Sequence, residues 1–240
     1  MDNSLYIGLS RQVALRRQLE VVANNIANMN TSGFRAERML FEAAMEPGGK
    51  KPNDQIAFTI DRATYTDMRQ GGFKETGNPY DVAIDGDGWL QVQTPDGVRY
   101  TRDGRMRRDN EGQLVNVNGY PMIDDNGQPI LIPSDRSQVT VSADGVVSAD
   151  NQMIARLRPV RFDNPQALRQ IGDVLFSADE PARPALEARL VQGKVELSNV
   201  QSIAEVTRMM ELSRDYQSVT RMVEEGQDLL HSAINRLAKS

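Results

Sequence analysis

The segment from residue 200 to 239 carries apolar residues at alternating steps of three and four. The pattern extends over roughly four heptads, and it comprises Met209, Leu212, Tyr216, Val219, Val223, Gly226, Leu230, Ala233 and Leu237. So narrow a stripe is typical of a coiled-coil seam, because a globular helix usually has a wider apolar face. The spacing therefore predicts a long carboxy-terminal helix that packs against another helix.

A second stripe of the same spacing lies in the amino-terminal part of the chain. It consists of Leu15, Leu19, Val22, Ile26 and Met29. The following residues 30–33 predict the end of a helix, with Gly33 in a left-handed turn. A helix with so little apolar surface is not stable alone. We therefore expect the two terminal helices to pair, either within one chain or between chains.

The charges of the two terminal segments favour this pairing. Residues 1–40 carry five arginines and three acidic residues, which gives a net charge of +2. Residues 195–240 carry five basic and seven acidic residues, which gives −2. Opposite charges attract when they are brought close together. Helices from opposite ends of the chain are thus electrostatically suited to each other.

Three asparagines, Asn24, Asn25 and Asn28, lie near the end of the first predicted helix. Asparagine is a poor helix former, so its clustering here has a reason other than helix propensity. One interpretation is that buried amides fix the register between packed helices. The other is that they form a polar face where the helix ends. The sequence leaves both open.

The middle of the chain, from residue 76 to about 162, is rich in turn signals. Glycines preceded by Asp, Asn or Glu stand at positions 88, 97, 104, 112, 119, 127 and 145. Strand-forming stretches lie at 82–84, 89–92, 114–117 and 130–132. Short strands joined by tight turns predict a small antiparallel β-barrel or sandwich. Proline-rich breaks at 47–52 and 181–184 lie on either side of this region.

These patterns together predict an α+β fold. Paired amino- and carboxy-terminal coiled-coil helices flank a central all-β antiparallel domain. The expected boundaries are 1–35 for the first helix, 36–75 for an extended connector, 76–195 for the β domain and 196–240 for the last helix.

Composition limits the chemistry that is open to this chain. Its 240 residues include no cysteine and one histidine, His231, and the net charge is −5. Disulfides, thiol chemistry and Cys- or His-rich metal sites are therefore excluded, and nucleic acid is disfavoured as the main partner. No apolar run approaches the ~20 residues of a membrane span, and we expect no secretory signal. We expect no catalytic residue, no metal and no cofactor.

Two acidic turns resemble the opening of a calcium loop. Asp85 and Asp87 form the first, and Asp124 and Asn126 form the second. Neither is followed by the further oxygen ligands that a calcium loop needs. Tight turns are the simpler interpretation of both.

A cluster of arginines lies between residues 99 and 108. Arg105 and Arg107 stand at alternate positions of a predicted hairpin, so their side chains share a face. They form either a cationic strip for an anionic partner or a solvated face that discourages edge-to-edge aggregation. The solvated face is the simpler of the two interpretations.

Four sequence blocks, in order along the whole chain, resemble the signatures of the bacterial flagellar rod and hook proteins. They are Ala23-Asn-Asn-Ile-Ala-Asn28 with Thr31-Ser-Gly-Phe-Arg-Ala36, Thr76-Gly-Asn-Pro-Tyr-Asp-Val-Ala-Ile-Asp-Gly-Asp-Gly-Trp89, Tyr100-Thr-Arg-Asp-Gly104, and Gln192-Gly193 with Leu197-Ser-Asn-Val200. Within the family, the length of the chain and its first residues are most similar to those of the proximal rod proteins. The distal rod members are the nearest alternative.

This resemblance implies a structural subunit that polymerises into the helical drive shaft of the flagellum and is not an enzyme. It implies export through the flagellar type III apparatus without a cleaved signal, and a place in the periplasmic rod. The implied partners are further copies of the chain, other rod proteins and the export apparatus. The helices would form the inner layer of the rod and the β domain its outer layer.

The resemblance also implies which residues contact neighbouring subunits. The implied interface comprises Leu15, Leu19, Val22, Asn24, Asn25, Ile26, Asn28, Val200, Met209, Leu212, Tyr216, Val219, Val223, Leu230 and Leu237. Arg105 and Arg107 are possible contacts at the outer surface.

Two other classes of function stay open at this point. A soluble coiled-coil adaptor with a β recognition domain would form a stable dimer and bind a defined ligand. A hydrolase acting on cell-wall glycan would need a pair of carboxylates, and Asp85 and Asp87 are the tempting pair.

Overall fold

The computed structural model describes residues 2–47, 55–136, 138–172 and 174–237, without the side chains of 2–6, 41–47, 55–63, 230–231, 233–234 and 236–237. The helices are α1 (Asp2–Ala27), α2 (Ser202–Leu237) and a short 3-10 helix (Pro165–Ala167). The strands are β1 (Glu37–Pro47), β2 (Gln55–Thr66), β3 (Phe73–Glu75), β4 (Val82–Asp85), β5 (Leu90–Thr94), β6 (Gly97–Thr101), β7 (Met106–Arg108), β8 (Leu114–Asn116), β9 (Val139–Val141), β10 (Val146–Ala149), β11 (Gln152–Arg156), β12 (Val160–Arg161), β13 (Arg169–Gln170), β14 (Leu175–Ser177), β15 (Arg183–Pro184), β16 (Arg189–Gln192) and β17 (Lys194–Glu196).

The chain divides into two compact units. The first, which we call the helical unit, contains α1, the β1–β2 hairpin and α2. The second, which we call the β unit, contains residues 28–36 and 67–200. Each unit is therefore built from segments that are far apart in the sequence.

Both terminal helices form where the apolar spacing predicts them. After α1 ends at Ala27, the Thr31 N–H donates to the carbonyl of Asn28, over 3.1 Å. Gly33 follows with a φ of +70°, a left-handed conformation that favours glycine. Glu205 lies in the first turn of α2, where a negative charge complements the helix dipole.

Strands β1 and β2 pair as a long antiparallel ladder within the predicted connector. Its register pairs Glu37 with Thr66 and Pro47 with Gln55, with an irregularity after Leu40. Sequence inspection treated this segment as extended without identifying the pairing. Residues 48–52, which belong to the predicted break, lie outside the described part.

The β unit is antiparallel throughout its described pairings. Strands β13, β14, β6 and β5 form a four-stranded sheet in that order, and β11, β10 and β9 form a three-stranded sheet. Its other sheets have two strands each, and within the described residues none closes into a barrel. The α+β class is thus confirmed, whereas the barrel, one of the two expected forms of the central domain, is not found in the described residues.

The main core of the β unit is aliphatic. Buried side chains from β4, β5, β8, β9 and β10 pack together in it, including Val82, Ile84, Leu90 and Val92. A smaller core brings Trp89 against Phe176, with ring centroids 4.7 Å apart. The stretches at 82–84, 89–92 and 114–117 therefore contain strands, as predicted.

The predicted strand at 130–132 is wrong. Leu131 makes only a single bridge, to Gln113. Pro129 and Pro133 stand on either side and have no N–H to donate to a ladder. Ile130 and Ile132 are nevertheless buried in the main core, so the apolar signal reported burial rather than a strand.

Three turns of the β unit share one hydrogen-bonding scheme. In each, a side-chain oxygen accepts backbone N–H groups from the residues two and four positions later, over 2.7–3.1 Å. The accepting residues are Asp109, Asn116 and Asp124. A glycine three positions after each acceptor has a positive φ. These local bonds explain why Asp, Asn and Gly mark the strand ends.

Candidate interaction surfaces

Helices α1 and α2 pack against each other inside the helical unit. Five buried apolar side chains form the centre of the contact, and we call them the helix seam: Leu15, Val22, Leu212, Val219 and Val223. Leu19, Ile26, Met209 and Tyr216 pack around the helix seam. The two apolar stripes therefore face each other within a single chain.

The two helices run antiparallel. Near the start of α1, the Gln12 side-chain amide donates to Thr220 Oγ1 over 3.1 Å and to the Tyr216 hydroxyl over 3.4 Å. Further along α1, Leu19 and Ala23 lie beside Met209 in a shared groove. Later residues of α1 thus meet earlier residues of α2.

The structure brings nine of the fifteen predicted interface residues into this one contact, namely the helix seam and the four residues around it. Asn24 is half-buried in α1, and Val200 is half-buried ahead of α2. The side chains of Leu230 and Leu237 lie outside the described part of the chain. Whether any of the fifteen contacts another subunit stays a prediction.

The buried amide of Asn25 holds the first residue of β1. Its Nδ2 donates to the carbonyl of Glu37, and its Oδ1 accepts the Glu37 N–H, both over 2.9 Å. Asn28 has a different role, because its Oδ1 accepts the Thr31 hydroxyl over 3.1 Å in the turn after α1. Asn25 therefore fixes a strand rather than the register between two helices.

A second polar contact in the helical unit was not predicted. Arg38 Nη1 lies 2.6 Å from Glu205 Oε1, and the Glu205 side chain is almost completely buried. The other oxygen, Oε2, has no hydrogen-bond partner in the described residues. The sequence indicated that Glu205 suits the start of a helix. It did not indicate the pairing with Arg38, because the two residues are 167 positions apart.

Apolar side chains remain exposed on α2 after the helices have packed. Ile203, Val206 and Met210 are spaced three and four apart and share one helical face, which we call the outer stripe. Ile203 is 85% exposed, and Met210 also borders an open groove of about 670 Å³ between α1 and α2. The outer stripe was not predicted, because the longer repeat that contains the helix seam dominates the apolar spacing of α2.

A buried charge cluster lies in the β unit. Glu196 is fully buried, and its carboxylate lies 2.6 Å from Arg35 Nη2 and 2.8 Å from Arg102 Nη2. Burial lowers the pKa of Arg102, and Glu196 partly opposes that effect. The arginine cluster at 99–108 is therefore not a single solvated face, since Arg102 points inward.

The four sequence blocks that carry the family resemblance meet around this cluster. Arg35 belongs to the first block and Arg102 to the third, and Arg102 donates to carbonyls of the second block at Gly86 and Gly88. The fourth block contributes Asn199. Its Oδ1 accepts the Ala36 N–H over 2.7 Å, and its Nδ2 donates to the carbonyls of Asp67 and Arg69. Motifs that are distant in sequence thus form one connected set of contacts in the β unit.

Arg105 and Arg107 occupy different environments. Arg105 precedes β7 and makes a two-point contact with Asp103, with nitrogen–oxygen distances of 2.9 and 2.7 Å. This hydrogen bonding raises the pKa of Arg105. Arg107 lies in β7 and is exposed. Their proposed contact with an anionic partner is untested.

Within the described residues, no group of three or more His, Asp or Glu side chains is arranged to hold a metal ion. Asp124 accepts two backbone N–H groups in its turn, as the simpler interpretation predicted. In the same part of the chain, neither helix combines the length and the apolar character needed to cross a membrane.

Three family models match successive parts of the chain. Residues 5–35 match "Flagella basal body rod protein", and residues 83–149 match "Flagellar hook protein FlgE/F/G D1 domain". Residues 191–237 match "Flagellar basal body rod FlgEFG protein C-terminal". The matched segments include most of α1, all of α2 and the centre of the β unit.

Curated proteins are similar to the chain over its full length. The flagellar basal-body rod protein FlgF of Caulobacter vibrioides is 40% identical over 243 aligned positions, covering 100% of this chain and 99% of the relative. FlgF of Mesorhizobium japonicum is 33% identical, with 99% and 98% covered. The flagellar basal-body rod protein FlgG of Bacillus subtilis is also 33% identical, with 98% and 99% covered.

Proposed function

Because the chain belongs to the flagellar basal-body rod proteins, and is a structural subunit of the rod rather than an enzyme, we propose that it joins its neighbours through the outer stripe. It is most similar to FlgF and assembles with other flagellar rod proteins. The proposal concerns the surface that makes these contacts.

The exposure of the outer stripe supports this assignment. Ile203, Val206 and Met210 lie side by side on α2 and stay 85%, 42% and 52% exposed when the two helices are packed. Complete burial of an aliphatic side chain stabilises a contact by roughly 1.5–3 kcal/mol. Stacking of subunits would bury the outer stripe, whereas the isolated chain leaves it in water. Grouped exposed apolar residues of this kind mark interaction surfaces.

The groove beside the outer stripe extends the same surface. Leu19, Ala23, Met209 and Met210 contribute apolar side chains to it, and Arg16, Glu20 and Arg214 are among its polar residues. A neighbouring helix with apolar and charged side chains would fit such a lining. Contacts between different faces of successive subunits generate a helical filament when the rotation between subunits does not close into a ring.

We assign the helix seam a supporting role in this assembly. Its residues are buried against each other, so they hold α1 and α2 as one coiled-coil-like element that presents the outer stripe. On this proposal, α1 and α2 belong to the inner layer of the rod, and the β unit belongs to its outer layer. Arg107 is then available for contacts at the outer surface.

The finer biological setting follows from the family and belongs to the same proposal. The subunit would be exported by the flagellar apparatus, would reach the periplasm and would stack with further copies of itself. Neighbouring rod proteins of other types would join at the two ends of that stack. The rod would then transmit torque through many weak helix contacts rather than a few strong ones.

We expect Ile203→Asp to prevent incorporation into the rod while the free protein stays folded. The position is 85% exposed, so a charge there costs the monomer little but opposes burial against a neighbour. Swimming and the amount of the chain in purified basal bodies should fall at least tenfold in cells that express only this variant.

Leu186→Asp is the matched control, because Leu186 is 86% exposed and lies in the β unit. It should support incorporation at the normal level. Normal incorporation of Ile203→Asp, with the wild-type amount of the protein in the cell, would refute the assignment of the outer stripe.

A further inference from the structure

The Glu196 carboxylate accepts hydrogen bonds from three separate parts of the β unit. Oε1 accepts from Arg35 Nη2 over 2.6 Å and from the Gly71 N–H over 2.9 Å. Oε2 accepts from Arg102 Nη2 over 2.8 Å and from Arg102 Nε over 2.9 Å. Two buried arginines therefore share one buried acid, so the three side chains carry one excess positive charge, which Asp87 partly offsets at Arg102.

The two arginines depend on Glu196 to different degrees. Arg102 Nη1 also donates to the carbonyls of Gly86 and Gly88, so the turn after β4 holds Arg102 in place. Arg35 has a side chain only 2% exposed, and its Nε and Nη1 have no hydrogen-bond partner in the described residues. Glu196 is thus the group that makes the burial of Arg35 tolerable.

Backbone contacts also make residues 33–36 depend on residues 196–199. The Gly33 N–H donates to the carbonyl of Glu196 over 2.9 Å, and the Ala36 N–H donates to Asn199 Oδ1 over 2.7 Å. Glu196 itself has an independent attachment, because β17 pairs with β3 from residue 194 to 196. Residues 33–36 therefore make most of these bonds with residues 196–199, which are held separately, and one further bond runs from the Asp67 N–H to the Ala36 carbonyl over 2.8 Å.

We propose that Arg35, Glu196 and Arg102 form a latch that imposes an order of docking: the segment 28–36 becomes fixed only after residues 194–199 have added to the β unit. Before that, Arg102 occupies the site without its counter-ion and repels the Arg35 guanidinium. Once β17 is in place, the Glu196 carboxylate neutralises the site and accepts Arg35.

The latch links the two segments that connect directly to the terminal helices. Residues 28–36 follow α1, and residues 197–201 precede α2. A chain whose carboxy-terminal segment is not yet in place would keep the segment after α1 undocked. Such a device would delay the fixing of α1 until the whole chain is present for folding.

Hydrogen exchange of two full-length variants, Glu196→Gln and Arg35→Met, tests the proposed order of docking. In Glu196→Gln, peptides covering 31–36 should exchange about 100-fold faster, because a buried guanidinium has lost its counter-ion. In Arg35→Met, the same peptides should also exchange faster. Peptides covering 194–199 should keep their wild-type protection in Arg35→Met, since Glu196 retains Arg102 and the Gly71 N–H.

Asp81→Asn is the control, since Asp81 is a buried carboxylate of the same unit that accepts from Asn78 and lies outside the cluster. It should leave the protection of 31–36 unchanged. Equal loss of protection at 31–36 and 194–199 in Arg35→Met would overturn the proposed order. Unchanged protection of 31–36 in Glu196→Gln would overturn the latch. If Glu196→Gln unfolds the entire β unit, Arg35→Met still tests the order of docking, through the difference in protection between peptides 31–36 and 194–199.

Discussion

We expect Val219→Asp to abolish incorporation into the rod and to leave the β unit folded. Val219 is 7% exposed in the centre of the helix seam, where it packs with apolar side chains of both helices. An aspartate there places an unpaired charge among apolar groups, which costs about 3–5 kcal/mol. The helix pair has a narrow core, so a loss of this size separates α1 from α2.

The effect on each unit can be measured separately in the purified protein. Circular dichroism at 222 nm should show a loss of helix. The fluorescence of Trp89, the one tryptophan in the sequence, should keep its wild-type spectrum, because Trp89 is buried against Phe176 in the β unit. Motility and the content of the chain in basal bodies should both fall to background.

Ser218→Asp provides the comparison at the adjacent position. Ser218 is exposed on the same helix, so a carboxylate there remains hydrated and should leave helix content and motility unchanged. Wild-type helix content and motility in Val219→Asp would show that the helix seam does not support the subunit. The phenotype also differs from that of Ile203→Asp, which should lose assembly but keep its helices.

Two adjacent glycines should respond in opposite ways to alanine. At Gly71, a Cβ would lie 2.0 Å from the carbonyl oxygen of Leu197, so the two backbone segments would have to move apart. That movement would break the bonds from the Gly71 N–H to Glu196 and from the Leu197 N–H to the Gly72 carbonyl. We expect Gly71→Ala to destabilise the β unit by about 3 kcal/mol or more.

At Gly72, no atom of the described residues lies within 4 Å of an added Cβ, and the φ is not in the left-handed region. Gly72→Ala should therefore change the free energy of unfolding by less than about 1 kcal/mol, and in the stabilising direction, because it restricts the unfolded chain. Thermal unfolding followed through Trp89 should show a Tm lowered by roughly 10 °C for Gly71→Ala alone. Equal Tm values for the two variants would contradict the close approach of these segments.

The terminal helices could be predicted from the sequence because their signal is local. Helix spacing repeats every three or four residues, and Leu15, Val22, Leu212 and Val219 satisfy it without reference to the rest of the chain. The turns of the β unit were also predictable, since Asp124 bonds to N–H groups only two and four positions away. The strand at 130–132 was mispredicted because burial and strand formation give the same apolar signal.

The long-range contacts could not be predicted, because their partners are distant in sequence. Glu196 and Arg102 are 94 positions apart, and Arg38 and Glu205 are 167 positions apart. No local pattern marks which of many charged residues becomes buried. The resemblance blocks do include Arg35, Arg102 and Asn199, but Glu196, which joins the two arginines, lies between the two parts of the fourth block.

The outer stripe had a signal that sequence inspection could have used. Ile203, Val206 and Met210 have helical spacing, but they lie out of phase with the longer stripe that includes Leu212 and Val219. A helix with two apolar faces has two partners to contact. The two stripes of α2 therefore distinguish the residues that pack within the chain from the residues that are exposed for contact with a neighbour.

Thiol labelling of an Ile203→Cys variant tests the central claim most directly, because the natural sequence has no cysteine and the label reports one position. The free subunit should react with a water-soluble maleimide at the rate of an exposed thiol. The same variant in isolated basal bodies should be protected by at least tenfold, while a Leu186→Cys variant gives the labelling rate of the free β-unit surface. Equal labelling of Ile203→Cys in the free subunit and in basal bodies would contradict the account, because the outer stripe would then face solvent in the assembled rod.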